Sequence, residues 1–270
     1  MIKHPLYLVP FDFTEVSNSA LRLALDLSEA NDGGVFLLHV VKKDKEKIKA
    51  KNEFTQVLSS LTEEERSRTL TNVIEGDLFT DVGKAGDILH ASLIVMGTHG
   101  AKGFQKLFGS HAQRLITSAS TPVLITQGKK SVDRIKTIVM PFNFTRESIR
   151  IVKFAGSIAK KFNASIHLVG FHESDSGYEE KMKMNQSVAQ NYFEENNITH
   201  TIANLPGGSA YLKQLMAYAK GVQADLFAAA FVQDGILPAP NTFMQAIIEN
   251  EDDIPVLTIN SEGLGGQFYY

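Results

Sequence analysis

The chain has 270 residues, 43% of them apolar, and a formal net charge of −3. That length suits two domains of ordinary size, and the near-balanced charge argues against a nucleic-acid partner, which calls for a basic surface. There is no cysteine, which excludes disulfides, thiol catalysis and thiolate metal sites.

No apolar run is long enough to span a membrane. The start, "MIKHPLYLVPFDF", lacks the organisation of a signal peptide. A cytoplasmic protein is expected, without a membrane partner.

The first apolar run, 6–10, reads as a strand that ends at "VPFDFTE" (9–15). Ala20, Leu23, Ala24 and Leu27 follow at spacings of three and four, which puts them on one helical stripe facing a sheet. Further strands are expected at 35–41, 70–74, 92–96 and 122–126. Several are apolar on both faces, as in a buried parallel sheet. Between the second and third strands, "KKDKEKIKAKNE" (42–53) mixes bases with acids and reads as a solvated face. Glu63, Glu64 and Glu65 read as helix surface, as do Glu179 and Glu180.

The fourth strand runs into "MGTHGAKGFQKLFGSHAQ" (96–113). Gly97 and Gly100 let the backbone turn and approach a ligand closely. Gly109 and Ser110 then open a helix with Ala112, Leu115, Ile116 and Ala119 on its apolar face. Two readings use the same atoms. Ser110 and Gln113 have capping-box spacing, so the stretch can be a turn and a cap. A helix N-terminus with free N–H groups, a hydroxyl and nearby Lys102 and Lys106 can also cradle phosphate. In doubly wound sheets a ligand sits outside the carboxyl ends of the strands. Asp12 and Gly97 border one crevice if the first and fourth strands are neighbours.

The chain then repeats itself. "VPFDFTE" recurs as "MPFNFTR" (140–146), and "DGGVFLLHV" (32–40) aligns with "NASIHLVGF" (163–171), both at an offset of 131. "TPVLIT" (121–126) matches "IPVLTI" (254–259) at 133. The helical face recurs as Ile151, Phe154, Ala155 and Ile158. Two α/β domains are expected, at 1–129 and 133–262, followed by a glycine-rich and aromatic tail at 263–270. The boundary falls in the polar "QGKKSVDRIK" (127–136). The second half reads "DLFAAAFVQDGILPAPNTFMQAII" (225–248) where the glycines should be, and Asn143 replaces Asp12. It is expected to keep the fold without that phosphate site.

These motifs resemble those of tandem universal stress proteins. "VPFDFTE", "FLLHVV" and "STPVLIT" resemble the family's first, second and fifth strands. Gly97, Gly100, Gly109 and Ser110 match the fixed positions of its motif G-x2-G-x9-G-[ST], with eight spacer residues (101–108) in place of nine. The resemblance implies two doubly wound, mostly parallel five-stranded sheets of Rossmann-like, adenine nucleotide alpha hydrolase-like type, paired as a pseudo-dimer. In the family's nucleotide-binding branch, Asp12 and backbone near Val40 would hold adenine and ribose. Gly97, His99, Gly100, Gly109 and Ser110 would approach the phosphates, with Pro10, Phe11, Met96 and His111 beside them. ATP, with Mg²⁺, is the implied ligand. In the other branch the protein would be a dimerisation or protein-interaction module, as a homodimer or with a protein partner.

No metal site is expected: His90, His99 and His111 lack a zinc-like spacing. His39, in an apolar strand, reads as a buried, satisfied histidine. With no general base assigned, at most weak ATP hydrolysis is expected.

Overall fold

The computed structural model describes residues 4–98, 114–128, 135–143, 147–172, 175–231 and 240–260. The chain divides into two compact units, Met1–Ser131 and Val132–Ser261.

In the first unit β1 (Leu6–Pro10) leads to α1 (Glu15–Ala30), β2 (Gly34–Val41), α2 (Lys47–Ser59), the short α3 (Glu63–Ser67), β3 (Thr69–Glu75), α4 (Leu78–Ile88) and β4 (Leu93–Gly97). A helical segment at 114–118, α5, precedes β5 (Val123–Thr126). The strands lie in the order β3-β2-β1-β4-β5, and every pairing among them is parallel. With right-handed crossovers this order puts α1 and α2 on one face and α4 and α5 on the other. All of β1 and β5 is buried, which is why their sequences are apolar at consecutive positions rather than alternating.

Local sequence sets the ends of α1. Thr14 caps it, its hydroxyl accepting the Ser17 N–H at 3.4 Å, which satisfies one free donor of the first turn. Ala20, Leu23, Ala24 and Leu27 are all buried against the sheet. Asp32 takes a left-handed φ of 48°, and the Gly33 N–H then donates to the Ser28 carbonyl at 2.8 Å. This closes the helix as a left-handed C-terminal residue does.

The second unit follows the same plan: β6 (Thr137–Pro141), α6 (Glu147–Phe162), β7 (Ser165–His172), α7 (Ser176–Glu195), β8 (His200–Pro206), α8 (Tyr211–Gly221), β9 (Leu226–Phe231), α9 (Pro240–Ile248) and β10 (Val256–Asn260). Its order is β10-β9-β6-β7-β8, again parallel where paired. Asn163 repeats the role of Asp32, with φ 51° and an Ala164 N–H donating to the Ala159 carbonyl at 2.8 Å. The apolar stripe of α6 is rotated from the expected one. Ile151 and Ala155 are buried, whereas Phe154 and Ile158 are half-buried. Val152 and Ala159 take the remaining core positions.

Candidate functional site at the ends of β1, β2 and β4

β1 and β4 are hydrogen-bonded neighbours, Tyr7 opposite Leu93 and Leu8 opposite Ile94. The connection from β1 runs to one side of the sheet and β4 lies on the other. Their carboxyl ends therefore flank a topological switch point, where such sheets bind ligands. Asp12 and Gly97 stand at those two ends.

β1 leaves the sheet through an unusual turn. The Phe11 N–H makes the last rung to β2, donating to the Leu38 carbonyl at 2.9 Å. The Phe11 ring is 1% exposed and packs against Phe13 and Phe54, with centroids 5.3 and 5.7 Å away. The Phe11 side chain is therefore part of the core, not of the surface at the strand end. Phe13 has a φ of 64°, a left-handed conformation that bulky side chains disfavour. Its ring is held between His39 (4.9 Å) and Phe54 (5.0 Å).

Between these aromatics Asp12 is exposed. Its Oδ1 accepts the Thr14 N–H at 3.2 Å and the Thr14 hydroxyl at 2.5 Å. Its Oδ2 has no hydrogen-bond partner among the described residues.

Val40 completes this side of the cleft. In β2 the even-numbered peptides face β1: the Gly34 N–H donates to Pro5, and Leu38 accepts from Phe11. By that alternation the N–H and C=O of Val40 point past the end of β1. The Phe11 carbonyl, which would accept the Val40 N–H in a further rung, instead faces the His39 Nδ1 at 2.6 Å. His39 is half-buried rather than buried.

Pro10 of β1 and Met96 of β4 are buried and belong to the sheet. Gly97 abuts the first turn of α1, where any Cβ would overlap the Val16 carbonyl. Its glycine identity is thus required by helix–strand packing, independently of a ligand. Thr98 donates its N–H to the Thr126 carbonyl at 2.7 Å. Its hydroxyl is buried without a partner among the described residues. His99, Gly100, Gly109, Ser110 and His111 lie outside the described residues. Arg114 of α5 reaches Asp77 at 3.4 Å, an exposed pair of the kind that contributes about 0–1 kcal/mol.

The second unit shows what the same fold carries without this cleft. At the offset of 131, Phe171 stands where the first unit has Val40 and Gly170 where it has His39. At the offset of 133, Tyr211 stands in place of Leu78 and Phe243 in place of Ser110. Tyr211 packs on Phe171 at 5.0 Å and stacks with Phe243 at 6.1 Å and 9°. Its hydroxyl donates to the Val169 carbonyl at 2.7 Å, and burial pushes the phenol pKa up, well above the usual value for tyrosine. This aromatic stack was not among the sequence expectations, although the three ring positions are readable from the repeat offsets.

Doubly wound units of this order define a parallel α/β fold of Rossmann-like type. Residues 7–127 match the universal stress protein family. The universal stress protein MJ0531 of Methanocaldococcus jannaschii is 28% identical over 138 residues, covering 45% of this chain and 81% of that protein. A universal stress protein structure from Archaeoglobus fulgidus is similar over 95% of this chain and 98% of its own, at 16% identity and a TM-score of 0.76. A functionally unknown protein, PA1789 of Pseudomonas aeruginosa PAO1, is similar over 95% and 92%, at 17% identity and a TM-score of 0.66. The family match makes the first unit a universal stress protein domain, and the whole chain shares its fold with the Archaeoglobus fulgidus structure. Among the described residues, no helix is long and apolar enough to cross a membrane.

Proposed function

We propose that the first unit binds an adenine nucleotide, ATP with Mg²⁺, and that the protein is a cytoplasmic stress-response protein whose second unit is structural or regulatory. The observation that carries this reading is the switch point between β1 and β4, with Asp12 at the end of β1 and the N–H and C=O of Val40 directed past that end from β2. A peptide N–H and C=O side by side complement the adjacent acceptor and donor on the edge of adenine. Asp12 has acceptor capacity left for a ribose hydroxyl. The triphosphate falls to the sequence 97–110, whose glycines and Ser110 supply N–H groups and a hydroxyl. Bound there, the nucleotide is a ligand rather than a substrate turned over efficiently.

A second reading, an interaction module that binds no nucleotide, draws on the engagement of Asp12 Oδ1 by Thr14, which is a sufficient local role for that carboxylate. Denaturing the purified protein and identifying the released small molecules separates the two. The first reading expects adenine nucleotide in the supernatant, or saturable ATP binding by the stripped protein. Absence of both leaves the second.

A further inference from the structure

The first unit uses His39 in a way that its role as a core residue does not require. The Phe11 carbonyl lies at the last turn of β1, beyond the final rung of the ladder, and a buried carbonyl without a donor is costly. The His39 ring meets it at 2.6 Å through Nδ1. A carbonyl only accepts, so Nδ1 carries the proton and donates. That bond fixes the peptide joining Phe11 to Asp12. Phe13, the next residue but one, holds its left-handed φ of 64° with its ring against His39 and Phe54. Such a conformation persists only where the surroundings over-determine it. The exposed residue between the fixed peptide and the clamped ring is Asp12. In the second unit Gly170 replaces the imidazole and Asn143 replaces the aspartate, so donor and carboxylate are absent together.

We propose that His39 is a positioning residue of the nucleotide site: its Nδ1–H holds the Phe11 carbonyl and thereby sets the direction of Asp12 toward the ribose side of the ligand. This rests on the nucleotide reading above.

The test separates the donor from the ring. His39→Phe keeps an aromatic ring in the cluster and removes the donor. His39→Asn keeps an amide N–H at the Nδ1 position and removes the ring. ATP affinity and the unfolding midpoint are measured on the full chain for wild type and both variants. The expected result is that affinity follows the donor, while both variants unfold earlier than wild type. His39→Phe binds ATP about tenfold more weakly, the order of one lost hydrogen bond, and it loses stability because the buried Phe11 carbonyl is left without its donor. His39→Asn recovers most of the affinity and loses stability through the missing ring. Affinity that follows the ring, or that is unchanged in His39→Phe, overturns the positioning role while leaving the nucleotide reading intact. Failure of wild type to bind ATP overturns both. Nitrogen-15 NMR of the wild-type imidazole gives a reading independent of ligand and of variant folding: a protonated Nδ1 is expected, and an unprotonated Nδ1 overturns the proposal.

Discussion

Gly97 illustrates how one residue can serve packing and still look like part of a binding motif. Its missing Cβ admits the Val16 carbonyl of α1. Gly97→Ala is therefore expected to lower stability by about 1–3 kcal/mol, the usual cost of overpacking, as read by chemical denaturation with ligand-free protein. A variant at Gly97 thus confounds folding with binding, whereas Gly100→Val is expected to lose ATP and keep the fold. His167 carries a different residue-scale prediction. Its Nδ1 lies 2.9 Å from the Tyr218 hydroxyl, and burial holds its pKa below the ordinary 6.5. The unfolded chain then takes up a proton that the folded chain resists. Stability from this group is complete above pH 6.5 and falls as the pH drops through the folded pKa. Wild type should lose more unfolding midpoint than His167→Phe between about pH 7 and pH 5; equal losses would refute the assignment. His39 was legible as a satisfied histidine in an apolar strand. Its partner, a carbonyl 28 positions upstream, was not, because nothing in a sequence records where a ladder stops. Nor does sequence foretell a phenylalanine in the left-handed region, which propensity disfavours and only tertiary packing sustains.

At the scale of elements, the strands were the most legible part. Runs such as "LYLVP" and "VLIT" are buried on both faces, so apolarity alone marks them. The stripe of α1 was equally clear, since spacings of three and four map directly onto one face. In α6 the same rule missed by a partial turn, because Val152 and Ala159 rather than Phe154 and Ile158 are fully covered. The five-residue α3 has too few positions for any period to show. It is held by local bonds instead: Thr62 accepts the Glu65 N–H, and the Glu65 carboxylate accepts the Thr62 N–H. In the second unit, α8 is tied to β7 through the buried Tyr211 hydroxyl. Tyr211→Phe leaves the ring stack and removes this bond, so about 1 kcal/mol of stability should be lost, measured by urea denaturation. An unchanged midpoint would show that the bond contributes nothing net.

For the whole molecule, the two repeats share a fold and differ at the ends of their strands. Both units keep the strand order and the left-handed closure of their first helix, so the fold itself does not depend on Asp12, His39, Gly100, Gly103 or Gly109, whereas Gly97 is needed for packing against α1. The first unit has Val40, Leu78 and Ser110 where the second has Phe171, Tyr211 and Phe243, and Tyr211 packs with both of the other rings. The difference was half legible. Loss of the glycines and of the aspartate could be read directly, but the ring stack needed residues from three separate elements to be brought together. This asymmetry predicts one nucleotide per chain. Calorimetric titration of the stripped full-length chain with ATP and Mg²⁺ should give one site per chain, abolished by Gly100→Val while the circular dichroism spectrum is retained. Two sites per chain, or no saturable binding, would contradict it.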